Sequence, residues 1–517
     1  MNYMRISVLI VFGLITKTMC IAQTKFNQRF NYGGLEWCQN VLLDVSGRLV
    51  TVGFSSPGTA PRGHIISFID TNGNLLDSNR LSLGDKRFAT TAINVLHEEI
   101  SDSTYIVAGN RQWLDPWVWQ GIRSQASLVK YNQNGDTVWT SSWGNSTQIF
   151  LIRSMCISKF GAYYLVGSIN DSVLQKHVAY IAKTDKQGNL LWEKTIVDSF
   201  NNEFTFTIFE NNDGKLILGG CKDIVPGGEI TTPSAYMLDS NGNILTVKTW
   251  SDTTYFGSAF IFDRSLSTTR LDRYLGANFI RNKPPGFYGW AGTIVELKGL
   301  DTNFNTVWKR LISTDEYSDL WHVLPLKNGN ILITGTLHHP ITNLDRGWAV
   351  LLDDKGTIVW DRRYVKCLEG SHYLSDAVEM PDGGFVMCGS TSGNCFPDSS
   401  QDAWIIRVDS NGCIDNTIAA CWPTSIEDIS KAKNTFEIFP NPNNGVFTIR
   451  NIKKLFAQNI MLDVFDITGK VVYNTTLKNG VESQSIHIPN SLQYGMYVIQ
   501  LTQEGNKVFT SKLIIQP

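Results

Sequence analysis

The chain has little net charge and few long apolar runs. Forty-five Lys and Arg against 47 Asp and Glu leave a formal charge of −2 over 517 residues. No basic field invites nucleic acid, so no nucleic-acid partner is expected. The main apolar stretch, 6-ISVLIVFGLI-15, is too short to cross a bilayer as a helix, and no membrane span is expected. There is no Cys-x-x-Cys pair, which excludes the commonest structural zinc pattern. Gly-x-Ser-x-Gly, His-Glu-x-x-His, a phosphate-binding loop and a dinucleotide fingerprint are all missing. No familiar nucleophile, metal or nucleotide site is announced, and no cofactor is expected. Aromatic residues make up 11% of the chain and charged residues only 18%, which excludes disorder.

What is present begins with a targeting segment. Arg5 precedes the apolar run, and 16-TKTMCIAQ-23 follows with small Ala22 at a cleavage position. Residues 1–23 read as a secretory signal peptide. Thr18 and Met19 stand before Cys20 where a lipoprotein signal needs small residues. Export makes disulfides available to the other eight cysteines. Two pairs that flank short loops, Cys388–Cys395 and Cys413–Cys421, are expected to be bonded.

The interior is a repeat. The stretch 183-KTDKQGNLLWEK-194 recurs in outline at seven places, beginning at Asp70, Asn132, Asp185, Asp239, Asp301, Asp353 and Asp409. The period is 52 to 62 residues. A glycine follows three residues on in every copy except the fifth, which has Phe304. A Trp stands four residues past that slot in four copies: Trp139, Trp192, Trp308 and Trp360. Upstream of each turn lies a second motif, a polar turn, an apolar strand and a Gly, as in 44-DVSGRLVTVG-53 and 328-NGNILITG-335. Asn-Gly and Asp-Gly steps suit tight hairpins, and the runs between them are rich in β-formers. Each unit therefore reads as four antiparallel strands, A to D. Radial repetition of such units is a β-propeller; a linear solenoid would have a shorter repeat. The turn Asp reads as hairpin chemistry, since the spaced carboxylates of a calcium loop are absent. It also resembles the sialidase Asp-box, but lies one residue too far from the Gly. The seventh unit lacks a strand D, and 24-TKFNQRFNYGG-34 has the look of a spare one. The ring is expected to close by pairing this segment with 404-WIIRVD-409.

After Cys421 the repeat stops. Residues 422–435 read as a linker, and alternating strands over 436–517 suggest a small β-sandwich. Pro440-Asn441-Pro442 with Gly445, Gly469-Lys470 within 466–470, Gly495-Met496-Tyr497 and the apolar end 512–515 resemble the type A C-terminal sorting domain of the type IX secretion system. The resemblance implies passage through the periplasm, contact with that secretion machinery, and delivery to the medium or the outer cell surface.

The expected fold is thus all-β: a seven-bladed β-propeller over 24–421 followed by an Ig-like sandwich. Tight A–B and C–D turns leave one face trim. The longer B–C and D–A connections elaborate the other, where binding is expected. Candidate binding aromatics are Trp113, Trp117 and Trp119 in the second unit, and Phe287, Tyr288 and Trp290 in the fifth. Acids on D–A connections are Glu36, Asp85, Asp252, Asp315, Glu316 and Glu369, which would serve catalysis if several converged. His338 and His339 read as residues of a solvated loop. No catalytic or metal-binding residue is assigned. The expected function is non-catalytic binding of a glycan or protein ligand. A propeller-based polysaccharide hydrolase or lyase, and a structural or adhesion component of the cell surface, are the alternatives.

Overall fold

A computed structural model describes residues 25–414 and 436–516. Within the first range it leaves out 57–62, 82–86, 90–94, 101–102, 115–121, 146–147, 172–175, 197–201, 224–230, 251–259, 264–272, 282–292, 313–316, 339–343, 368–369, 394–395 and 397–399. Within the second it leaves out 452–459, 467–470, 479–480, 489–493 and 504–505. The chain divides into two compact units, Met1–Cys421 and Trp422–Pro517.

The first unit is a seven-bladed propeller. Blade 1 has strands A to D at Leu35–Leu43, Leu49–Ser56, Gly63–Ile69 and Leu75–Leu81, hydrogen-bonded in that order. Five more antiparallel blades follow within 96–143, 149–196, 203–249, 260–312 and 317–364. Blade 7 supplies Gly370–Glu379, Phe385–Gly393 and Asp402–Val408, and its fourth strand is Phe26–Phe30 from the other end of the unit. The register runs from Phe26 opposite Arg407 to Phe30 opposite Ala403. The N-terminal strand therefore closes the ring on the strand expected from the sequence.

The Asp-x-x-Gly…Trp text is explained by contacts between blades. Asp185 Oδ1 accepts the backbone N–H groups of Gln187 at 2.9 Å and Asn189 at 2.8 Å, fixing the C–D hairpin. Gly188 has φ +78°, and a Cβ there would lie 2.7 Å from Trp139 of the preceding blade. The glycine is required both by its backbone angle and by the indole pressed against it. Trp192 meets Gly242, Trp308 meets Gly356 and Trp360 meets Gly412 in the same way. Blade 4 carries Thr246 where a Trp would stand. The facing slot in blade 5 holds Phe304, fully buried at φ +63°, with its ring 5.6 Å from that of Tyr274. A side chain from the recipient blade fills the space that a donor Trp fills elsewhere.

The second recurring glycine, in strand B, answers a bulge in strand A. In blade 7 the register shifts between Leu374 and Asp376, which pushes the Tyr373 carbonyl toward Gly389. A Cβ on Gly389 would sit 1.8 Å from that oxygen.

One cysteine expectation is corrected. Cys388 is a free, buried thiol, not half of a loop disulfide. Its side chain points into the seam between blades 7 and 1, beside Cys38, and burial pushes its pKa well up. Cys413 is disulfide-bonded, and so is Cys367, which the sequence reading left unpaired. Cys395 and Cys421 lie outside the described residues.

The second unit is a sandwich of a three-stranded and a four-stranded sheet around its own core, which includes Phe447, Leu462, Tyr497, Ile499 and Leu513. The Pro-Asn-Pro segment ties its first strand to its last. Asn441 donates to the Lys512 carbonyl at 2.6 Å and accepts from the Ile514 N–H at 2.9 Å. Gly445 donates its N–H to Asn443 Oδ1 at 2.8 Å. Tyr497 is buried, Gly495 opens an exposed strand end, and Gly469 and Lys470 lie outside the described residues.

Candidate functional site at the mouth of blades 6, 7 and 1

Three strand ends of blade 6 meet on the face of the long connections. Strand A (Tyr317–Pro325) brings Asp319, strand B (Ile331–His338) ends at His338, and strand C (Asp345–Leu352) begins at Asp345. His338 is paired in register with Asp345, so the three side chains converge by strand geometry. The imidazole is clamped between two carboxylates, with Nε2 2.7 Å from Asp319 Oδ2 and Nδ1 2.6 Å from Asp345 Oδ1. Burial alone would lower its pKa, but hydrogen bonds to Asp319 and Asp345 more than reverse that and raise it to about 9. His338 is therefore an imidazolium at neutral pH. The sequence reading put it in a solvated loop; it is the last residue of a strand.

Blade 7 extends the array. The Tyr373 hydroxyl donates to the second oxygen of Asp345. Burial and that carboxylate raise the phenol's pKa, so Tyr373 keeps its proton. Burial works to raise the pKa of Asp345, but the bonds from His338 and Tyr373 hold it below the ordinary range. His372 lies behind. Burial lowers its pKa to about 4, and its Nε2 accepts the Cys367 N–H at 3.1 Å. It is a neutral brace.

Aromatic rings stand next to the array. Trp37 of blade 1 meets Trp321 of blade 6 edge to face, centroids 5.7 Å apart at 72°, and lies 5.7 Å from Tyr373. Trp37 Nε1 donates to Ser375 Oγ at 2.7 Å, and Trp321 Nε1 to Thr336 Oγ1 at 3.0 Å. Both indoles are half-buried and held in one orientation. Asp376 ties the three blades together, with Oδ1 2.7 Å from His322 Nδ1 and Oδ2 accepting the Val41 N–H at 2.9 Å.

The sequence candidates fare unevenly. Glu36 is fully buried in the seam, where it accepts from Ser55 Oγ at 2.8 Å; burial raises its pKa, with Asp402 adding to the effect. It does not open onto the mouth. Trp113 is half-buried near the end of strand B of blade 2, opposite Arg123. Trp117, Trp119, Phe287, Tyr288, Trp290, Asp85, Asp252, Asp315, Glu316, His339 and Glu369 lie outside the described residues. Among the described residues no cluster of His, Cys, Asp and Glu is placed to hold a metal ion.

Of the residues that do converge, Asp319, Asp345 and Tyr373 belong to no motif of the repeat, yet a signal for Asp319 and Tyr373 exists. Each strand-A bulge sits at a fixed distance from its strand-B glycine. Sixteen residues before Gly53, Gly167, Gly220, Gly335 and Gly389 stand Trp37, Leu151, Phe204, Asp319 and Tyr373. The polar members, Asp319 and Tyr373, come from adjacent blades and belong to the one array.

Comparison with known proteins places the C-terminal unit. Residues 437–516 match the family described as the secretion system C-terminal sorting domain. The protein is an exported propeller carrying that domain, delivered to the medium or outer surface. Among the described residues no helix is long and apolar enough to cross a membrane. The ulvan lyase NLR42 of Nonlabens ulvanivorans is 34% identical over 186 residues, 36% of this chain and 28% of that protein. An endo-acting ulvan lyase of Formosa agariphila is 30% identical over 94 residues, 18% of this chain and 17% of that protein. The chain thus spans less than a third of either curated relative. Among solved structures, the polysaccharide lyase Uly1 is similar with TM-score 0.42 at 10% identity, over 72% of this chain and 90% of that one. The β-propeller domain of the trilobed protease from Pyrococcus furiosus also gives TM-score 0.42, at 7% identity over 76% and 100%.

Proposed function

We propose that the propeller is a polysaccharide lyase exported by its sorting domain, with its site at the mouth of blades 6, 7 and 1. The observation that carries this reading is the chain of hydrogen bonds from Asp319 through His338 and Asp345 to Tyr373. Lytic cleavage breaks the C–H bond beside a uronate carboxyl group, uses its electron pair to form a C=C bond and expels the glycosidic oxygen. One group must take the ring proton and another must protonate the leaving oxygen. Asp319, the second carboxylate on His338, takes the ring proton in this reading. Tyr373, kept protonated by burial and Asp345, is the proton donor in this reading. His338 holds Asp345 in place and offsets its charge. The matched segments of two proteins named as ulvan lyases lend support. This revises the expectation of a purely binding protein in favour of its catalytic alternative.

The test is incubation of the exported full-length protein with uronate-containing polysaccharides, following the ultraviolet absorbance of unsaturated sugar ends. New reducing ends without that absorbance would point to hydrolysis instead. A second reading, glycan binding without cleavage, is favoured by the fixed Trp37–Trp321 pair. It would show as saturable binding with no new chain ends.

A further inference from the structure

We propose that Trp37 and Trp321 form a stacking subsite that takes one pyranose ring of a polysaccharide by its C–H face, with Asp319, Asp345 and Tyr373 meeting the hydroxyls at the ring's rim. The proposal rests on the polysaccharide reading of this face, and it can fail separately from cleavage.

Four observations lead to it. First, both indole N–H groups are consumed inside the protein, by Ser375 and Thr336. The rings have no donor left and offer π faces only. Second, the rings are half-buried and not sealed in the core, and the strands that carry them, strand A of blades 1 and 6, are terminal strands of their sheets. Third, Trp321 is the bulged residue of its strand, fourteen before Gly335; the matching residues of blades 1, 3, 4 and 7 are Gln39, Arg153, Phe206 and Ser375. An indole at this position is peculiar to the blade that also supplies Asp319, His338 and Asp345. Fourth, the neighbouring carboxylates accept hydrogen bonds and donate none. An aromatic face bordered by acceptors matches a sugar, which is apolar across its C–H face and hydroxylated at its edge. Nucleic acid is disfavoured, because its phosphates would meet Asp319 and Asp345. A peptide would find no indole N–H to bond.

The test uses the full-length protein and β-linked oligosaccharides of xylose, glucose and glucuronate, with binding read by calorimetry and by protection of tryptophan fluorescence from a soluble quencher. At least one oligosaccharide should bind and shield tryptophan. Trp321→Ala should weaken that binding at least about fivefold, and Trp321→Phe should keep most of it. If Trp321→Ala does not fold, shielding in the parent and the Trp321→Phe affinity decide. Unchanged affinity in Trp321→Ala and Trp37→Ala, no shielding in the parent, or preference for a peptide overturns the subsite. Binding lost in Trp321→Ala while the parent cleaves nothing keeps the subsite and removes the lyase. Cleavage with an unchanged KM in Trp321→Ala does the reverse.

Discussion

The ring of Phe26 lies against Gly73, so close that a Cβ on the glycine would stand 2.7 Å from the phenyl Cγ. Phe26 belongs to the N-terminal strand and Gly73 to the C–D turn of blade 1, so this contact is the seam of the propeller. Elsewhere a strand-D Trp makes the same contact, as Trp139 does with Gly188. The N-terminal strand thus supplies the hydrogen bonds of the missing strand D and also its aromatic knob. Phe26→Ala should lower the stability of the propeller transition by about 3 kcal/mol. Gly73→Ala, at φ +87° and without room for a Cβ, should cost more than about 1 kcal/mol. Urea unfolding of the two variants measures both, and an unchanged midpoint in Phe26→Ala would remove the residue from the seam.

Blades 4 and 5 allow a sharper check of that pairing. Phe304 occupies the slot opposite Thr246, where four other junctions have Gly opposite Trp. Phe304→Gly should relieve a strained backbone angle yet leave a cavity, for a net loss of roughly 2–3 kcal/mol. Thr246→Trp alone should clash with Phe304. The double variant restores the ordinary pair and should recover at least about 1 kcal/mol of the summed losses. Simple additivity in the double-mutant cycle would contradict the pairing.

The His338 clamp makes stability depend on pH in a fixed direction. Its folded pKa is raised to about 9 from an ordinary 6.5. The folded state therefore holds the proton more tightly than the unfolded state does. The stabilisation is complete below about 6.5 and is lost as pH rises through about 9. His338→Gln should flatten the stability profile across that window, with the larger loss on its acid side. Thermal unfolding at a series of pH values reads this directly.

The cysteines give a covalent check. Gly370 pairs with Gly393 across strands A and B of blade 7, and Cys367 and Cys395 stand three residues before and two after that pair in the sequence. Cys367 should be found bonded to Cys395. Cys413, in the turn at the opposite end of that blade, should be bonded to Cys421. Peptide mapping without reductant tests both. Cys38, Cys156, Cys221 and Cys388 are buried thiols and should react with alkylating agents only on unfolding.

How much of this could be read beforehand depends on whether a residue obeys the repeat. Asp185, Gly188 and Trp192 recur at fixed spacing, so seven copies together exposed the blade, its hairpins and the missing last strand. Pro440-Asn441-Pro442 and Gly445 identified the sorting unit because a small fold ties its ends together with those side chains. The site was harder. Asp319 and Tyr373 depart from a column otherwise filled by Trp37, Leu151 and Phe204, and the column is visible only once the strand-A bulge is aligned on the strand-B glycine. His338 was hidden because a strand end next to a Pro-containing connection reads as loop. Cys388 misled because nearness in sequence said nothing about which side of strand B its thiol faced.

The central claim is that this mouth breaks polysaccharide chains by elimination, with Tyr373 as proton donor. The most direct measurement compares the exported protein with its Tyr373→Phe variant on uronate-containing polysaccharides, following unsaturated chain ends. The parent should generate them, and the variant should be slower by roughly 100-fold or more while unfolding at the same temperature. Equal rates in the two proteins, or no unsaturated ends from the parent on any uronate polysaccharide, would contradict the account.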